Sequence, residues 1–366
     1  MVLRRVMSSI TVEAMTPYEV RIEDALDLAE VISATLASGT AVVLTDSIVG
    51  PLYASSVEAA LKATGWNVID TVTVPAGEAS KSISVYEEVV RGLARSGLPR
   101  GGTLFALGGG VVGDLGGFVA SSYMRGVDLV QLPTSLLAMV DSSVGGKVGL
   151  DLAEGKNLIG AFLQPRLVAA DIRWLETLPP REVSQGLAEV VKMGLLAGGE
   201  FFRDLERLDA ARSGETSARQ ALILHSVRYK AAVVAKDERE SGLRAVLNYG
   251  HTIGHGLEAA AGYNLPHGEA VAAGMLAAAH LSDERFRTDL LPTHETLLRA
   301  AGLPLELPPV DVERVLDAMG RDKKRRTSDR RGEYRFVLLH GPGRPERDVP
   351  VTVEEARRVI GAVLAR

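Results

Sequence analysis

Apolar residues in the first half of the chain fall into short, β-branched runs separated by longer stretches with helical spacing. The segments AVVLT (41–45), VIDTVTV (68–74), TLFAL (103–107), DLVQL (128–132) and LVAA (167–170) have the length and residue types of strands. Between them, 82–95 sets Val85, Val89 and Leu93 on one helical face with charges opposite. Such alternation predicts an α/β domain with a mostly parallel sheet flanked by helices. Beyond Pro179-Pro180 the texture changes to Ala- and Leu-rich stretches, such as 221–235 and 270–281, so that half reads as mainly helical. A short strand is expected at 334–339.

Length agrees with that division. A single core rarely grows past about 250 to 300 residues, and 366 residues at 46% hydrophobic content imply two domains, placed at 1–179 and 180–366. Charge adds an exclusion: 41 basic and 46 acidic residues give a net −5, which argues against a surface devoted to nucleic acid or anionic membrane. An anionic ligand would need a local basic cluster. The absence of cysteine rules out disulfides and thiolate metal ligands, leaving His and carboxylates for any metal. The N-terminal segment lacks the apolar stretch of a secretory signal and no 18-residue uncharged apolar run occurs, so a cytoplasmic protein is expected.

Several segments carry candidate chemistry. Gly108, Gly109, Gly110, Val111, Val112 and Gly113 satisfy G-x-G-x-x-G after the third of these strands, where glycines and free N–H groups at a helix start suit a pyrophosphate. Close packing explains such a turn equally well. Asp46, directly after the first of these strands, stands where a ribose partner or an ordinary helix N-cap would stand. His251, His255 and His267 cluster within NYGHTIGHGLEAAAGYNLPHGEA, which suggests metal or acid–base chemistry. The i, i+4 pair His251 and His255 is the simplest metal pair by spacing, although Gly254 and Gly256 weaken the helix. Glu189, an acid in an apolar helix, is a candidate oxygen ligand; with Lys192 it also reads as an exposed ion pair of small consequence. The stretch 141–157 combines glycines with Lys147, Lys156 and Asn157, and Arg125, Lys230 and Arg244 are further cations in uncharged surroundings. The run 321–331 holds seven basic residues in eleven, which by itself reads as a solvated loop.

Taken together, GGGVVGD (108–114), YMRG (123–126), PTSLLAMVDSSVGGK (133–147), GKNLIGAF (155–162), LPPREVSQGLAEVVK (178–192), DERESGLRAVLNYGHTIGH (237–255) and LPHGEAVAAGM (265–275) resemble the 3-dehydroquinate synthase family in order and spacing, from about residue 40 to about 340. The resemblance implies a Rossmann-like NAD-binding α/β domain, a mainly helical metal-binding C-terminal domain, and an active site in the cleft between them. It implies Glu189, His251 and His267 as ligands of a divalent metal, zinc or else cobalt, with His255 as a catalytic histidine, so the i, i+4 pairing is set aside. NAD would be held by Asp46, Glu78, Lys81, Gly109, Gly110, Val111, Asp114, Thr134, Ser135, Asp141, Lys156 and Thr177. Substrate would be held by Lys147, Asn157, Lys192, Lys230, Arg244, Asn248, His255 and Lys323, with Lys324 as the alternative. Lys147, Lys192 and Asn248 join His255 as catalytic candidates. Arg125 matches a residue that reaches the neighbouring subunit, implying a homodimer.

The implied reaction converts 3-deoxy-D-arabino-heptulosonate 7-phosphate to 3-dehydroquinate and phosphate, on the route to chorismate. It proceeds by transient oxidation with NAD, phosphate loss, re-reduction and aldol closure. Related cyclases that take sedoheptulose 7-phosphate differ near Leu247-Asn248, where this chain keeps the family's pair. A metal-dependent alcohol dehydrogenase is disfavoured by the lysine-rich GGK and GKN segments. A non-catalytic NAD- or nucleic-acid-binding module is disfavoured by retention of every ligand and lysine position.

Overall fold

The computed structural model describes residues 9–321 and 333–366; Lys323, Lys324 and most of the basic run lie outside them. The chain divides into two compact units. The first runs up to Leu178 and includes Lys230–Arg239; the second comprises Pro179–Tyr229 and the chain from Glu240 onward.

Among the described residues of the first unit nine strands follow in order: β1 (Ser9–Val12), β2 (Tyr18–Glu23), β3 (Thr40–Asp46), β4 (Asn67–Val74), β5 (Thr103–Gly108), β6 (Asp128–Pro133), β7 (Lys147–Leu152), β8 (Gly155–Phe162) and β9 (Leu167–Asp171). Seven of them form one sheet in the order β1-β2-β9-β6-β5-β3-β4. Every pair is parallel except β1 with β2. Parallel strands buried on both faces read as continuous apolar runs, and Ala41, Val42, Val43 and Leu44 of β3 are indeed fully buried. Helices Ile83–Ser96 and Gly110–Ser122 contribute Val89, Leu93, Val112, Leu115 and Val119 to the same core. Ser82 caps the first of these, its side chain accepting from the Val85 N–H, and Gly97 closes it at φ 76.

The five expected strands and the strand expected at 334–339 are present. Five others, β1, β2, β7, β8 and the strand Pro345–Thr352 of the second unit, were not among the expected strands. β7 and β8 form an antiparallel hairpin across the stretch that reads as a polar, glycine-rich loop. Backbone packing builds it: a Cβ on Gly149 would lie 2.5 Å from the Ile159 carbonyl oxygen, and one on Gly160 would lie 2.7 Å from that of Val148.

The second unit is mainly helical, with helices that include Pro180–Ala197, His251–Ala260, His267–Phe286, Leu291–Ala300 and Val312–Arg321. A hairpin of β10 (Glu333–Leu339) and β11 (Pro345–Thr352) leads into the last helix, Val353–Leu364, which begins with a reciprocal Thr352–Glu355 cap. The long helix Thr216–Lys236 contributes to both units, since its end from Lys230 belongs to the first. No helix among the described residues is long and apolar enough to cross a membrane.

Candidate active site

In the first unit the glycine turn forms the start of helix Gly110–Ser122 at the carboxyl end of β5. Gly109 is its N-cap and supplies no side-chain acceptor, so the first N–H groups are left to a ligand or solvent. The turn is packed from behind. A Cβ on Gly109 would lie 3.3 Å from Ser135 Oγ and one on Gly110 3.1 Å from Ser142 Oγ, which meets the close-packing reading of these glycines. Thr134 donates its backbone N–H to Gly108 at 2.9 Å.

Beside this turn lies a charge cluster built around a buried lysine. Lys81, 5% exposed, donates to Asp114 Oδ2 at 2.9 Å and to Asn157 Oδ1 at 2.8 Å. Glu78 and Asp151 stand 3.7 and 3.8 Å from the same ammonium, and Lys156 lies 3.6 Å from Glu78. Burial works against the charged lysine, but Asp114, Glu78 and Asp151 outweigh it and hold its pKa above the usual lysine range. Glu78, Lys81, Asp114, Lys156 and Asn157 are thus brought together, and Asp151 is a member the sequence reading missed. Lys230 donates to the Asp141 carbonyl at 2.7 Å and pairs with its carboxylate at 2.5 Å. Asp46 Oδ1 accepts from the N–H groups of Ile48 and Val49, each at 2.8 Å, closing the turn that leads into helix Val49–Ala63, whose N-cap is Ile48 and not Asp46. Thr177 shares a 2.7 Å hydrogen bond with the Tyr53 hydroxyl. Arg125 is exposed, with a left-handed φ of 68, and Lys147 opens β7 at an exposed position.

In the second unit the metal-type residues converge. Glu189, His251 and His267 each present one ligand atom, and these atoms lie within 4.8 Å of one another. Glu189 Oε1 is 3.5 Å from His251 Nε2 and 3.2 Å from His267 Nε2. Its other oxygen meets the Lys192 ammonium, and both side chains are buried. The reading of Glu189 and Lys192 as an exposed pair is therefore overturned: helix Pro180–Ala197 is buried along most of its length, so neither side chain reaches water. Burial alone would raise the Glu189 pKa, but Lys192 and His267 bring it down to about 2. Burial likewise opposes charge on His267, yet Glu189 and Glu258 push its pKa up to about 10. Carboxylate and imidazole donors gathered this closely could hold a cation, and their oxygen and nitrogen atoms suit a divalent transition metal.

Close helix contact makes this possible. A Cβ on Gly274 would lie 1.8 Å from the Gly250 carbonyl oxygen, so helix His267–Phe286 reaches the turn before helix His251–Ala260 only because residue 274 is glycine. Gly250 itself has a φ of 78, which L side chains rarely adopt. The His251 and His267 rings come to 5.4 Å. His255 stands edge-on to His251 at 5.2 Å and 6.3 Å from His267, beside the three-residue group rather than within it. Arg244 is buried at 2% exposure, and Asn248 donates to Glu240 Oε1 at 3.2 Å. Glu258, 1% exposed, lies 3.4 Å from His267 Nδ1. Glu240 and Glu258 escaped the sequence reading; acids on polar turns and short helices carry no periodic signal.

Comparison with known proteins agrees with this geometry. Residues 71–185 match the 3-dehydroquinate synthase N-terminal family and residues 186–325 the 3-dehydroquinate synthase C-terminal family. A curated 3-dehydroquinate synthase of Symbiobacterium thermophilum is 49% identical over 83% of this chain and 85% of its own. One from Xanthomonas axonopodis pv. citri is 45% identical over 97% and 98%. Among solved structures, a 2-deoxy-scyllo-inosose synthase complexed with carbaglucose-6-phosphate, NAD+ and Co2+ superposes with a TM-score of 0.88 at 27% identity, covering 96% of this chain and 99% of that one. A 2-epi-5-epi-valiolone synthase from Streptomyces hygroscopicus with NAD+ and Zn2+ bound gives 0.86 at 27% identity, covering 95% and 97%. With family matches on both sides of residue 185 and close identity across nearly the whole length, the chain belongs to the 3-dehydroquinate synthase family.

Proposed function

We infer that this chain converts 3-deoxy-D-arabino-heptulosonate 7-phosphate to 3-dehydroquinate and phosphate, as a carbon–oxygen lyase of the route to chorismate. The observation that carries the reading is the convergence of Glu189, His251 and His267 in a chain that close relatives named 3-dehydroquinate synthase match over most of its length. Bound NAD would supply reversible hydride acceptance, and a bound divalent cation Lewis-acid polarisation of the substrate oxygen.

The chain's own residues do the positioning. Glu189 Oε1 and the Nε2 atoms of His251 and His267 would hold the cation, zinc in preference to cobalt. Lys192, paired with Glu189, places its amino group beside that site, where it would donate to a developing oxyanion of the substrate. NAD would be held at the uncapped helix start by Gly109, Gly110 and Val111, and by Asp46, Glu78, Lys81, Asp114, Thr134, Ser135, Asp141, Lys156 and Thr177. Lys147, Asn157, Lys230, Arg244, Asn248 and Lys323 would divide the substrate's phosphate, carboxylate and hydroxyl groups among them. His255, beside the metal-type residues, is the candidate to move a proton during ring formation.

The two units are read as an NAD-binding and a metal-binding domain, with the boundary at residue 179. A cytoplasmic homodimer in which Arg125 reaches the partner's site completes the proposal. Phosphate release by the metal-loaded enzyme with NAD, lost on chelation and restored by zinc or cobalt, tests it.

A further inference from the structure

Tyr249 and His294 are both fully buried at 0% exposure, and neither belongs to the residues assigned above. The Tyr249 hydroxyl lies 2.8 Å from His294 Nε2, and His294 Nδ1 lies 2.8 Å from the carbonyl oxygen of Leu290. A carbonyl can only accept, so Nδ1 carries the proton, and Nε2 of a neutral ring accepts from the tyrosine hydroxyl. Burial fits this neutral form, pushing the pKa of His294 down to about 4. Leu290 is itself anchored, because its N–H donates to Asp283 Oδ1 at 2.7 Å and that of Leu291 to Oδ2 at 3.1 Å. The far end of Tyr249 faces the metal-type residues: its carbonyl oxygen lies 3.1 Å from His251 Nδ1. By the same logic His251 Nδ1–H donates to that carbonyl, which leaves the Nε2 lone pair turned toward Glu189, 3.5 Å from Oε1.

We propose that the Tyr249–His294 pair is a positioning device for the metal site: the buried hydroxyl–imidazole bond fixes the turn whose carbonyl sets the tautomer and direction of His251. The inference rests on the metal reading above. Partners behind a ligating histidine orient its ring and raise its basicity, and here that partner is a main-chain carbonyl at the entry to a helix. Helix His267–Phe286 packs on this turn at Gly250 and the Tyr249 N–H donates to Val246 at 3.2 Å, while the tethered ring holds it from the tyrosine side. If the pair served packing alone, its loss would change stability and leave cation affinity where it was.

The test measures zinc and cobalt affinity by chelator competition for the full-length wild type, Tyr249→Phe, His294→Leu and the double variant, with NAD binding and melting temperature in parallel. Tyr249→Phe and His294→Leu are each expected to weaken cation binding about tenfold, the lower end for outer partners of a metal ligand, with NAD binding unchanged. The double variant is expected to be no weaker than the weaker single one, since the pair acts as a unit. Unchanged cation affinity in a folded Tyr249→Phe, with the wild type binding normally, overturns the inference alone. A wild type that binds neither cation overturns the metal reading and the inference with it. Should the variants not fold, 15N spectra of the histidines in the zinc-loaded wild type decide: Nδ1-protonated His294 and His251 are expected, and an Nε2-protonated His294 contradicts the proposal.

Discussion

The backbone N–H of Asn157 donates to Asp151 Oδ1 at 2.7 Å, and this bond spans the turn of the β7–β8 hairpin. Asn157 sits there with a left-handed φ of 53, and from that conformation its side-chain oxygen accepts from Lys81. Asp151 also donates its own N–H to the Lys81 carbonyl at 2.7 Å. One carboxylate thus joins a residue proposed for NAD to one proposed for substrate. Removing it with Asp151→Ala should cost about 2 kcal/mol, the scale of a hydrogen bond to a charged group, and weaken NAD binding measurably. Asp151→Asn keeps an acceptor and should retain most of the affinity. Equal losses in the two variants, by fluorescence titration with NAD, would contradict the role.

Gly274 gives a steric prediction. A methyl there has no room beside the Gly250 carbonyl, 1.8 Å from the ideal Cβ. Gly274→Ala should destabilise the protein by ~3 kcal/mol or force the helices apart, and in either case cation affinity should fall with it. Urea denaturation with parallel zinc titration measures both.

Glu258 holds the rear nitrogen of His267 at 3.4 Å and helps keep that ring's pKa near 10. Glu258→Gln should weaken zinc binding about 10- to 100-fold, the range for a carboxylate behind a metal-binding histidine. Activity at saturating zinc should change much less than activity at limiting zinc.

His294 makes stability depend on pH in a definite direction. Its folded pKa is depressed from 6.5 to about 4, so the unfolded chain binds the extra proton between those values. The stability contribution is therefore present above 6.5 and is lost as pH falls toward 4. At ~1.4 kcal/mol per unit the loss reaches about 3 kcal/mol. Compared with wild type, His294→Leu should show a shallower fall in unfolding free energy across that interval, by about one proton.

The sheet core was readable because β3, β5, β6 and β9 are buried along most of their length and so appear as largely apolar runs. β2, YEVRIE, carries the apolar–polar alternation of a half-buried strand, a signal that was present in the sequence and missed. The β7–β8 hairpin left no side-chain period because Gly149 and Gly160 pack backbone on backbone. In the site, three histidines and a lone acid in an apolar helix were visible, and their grouping came from the family resemblance and not from spacing. Spacing favours His251 with His255, whereas Glu189 stands beside His251 and His267, a contact made by helices distant in sequence. The same distance hides Glu258 and the Tyr249–His294 bond, whose partners no local pattern links.

The central claim is tested most directly by incubating the zinc-loaded protein and NAD with 3-deoxy-D-arabino-heptulosonate 7-phosphate, following phosphate, ring product and NADH together, with sedoheptulose 7-phosphate in parallel. The account predicts equimolar phosphate and 3-dehydroquinate with no net NADH, and no turnover of the sedoheptulose substrate. Turnover of sedoheptulose 7-phosphate alone, net NADH accumulation, or phosphate release that persists after chelation would contradict it.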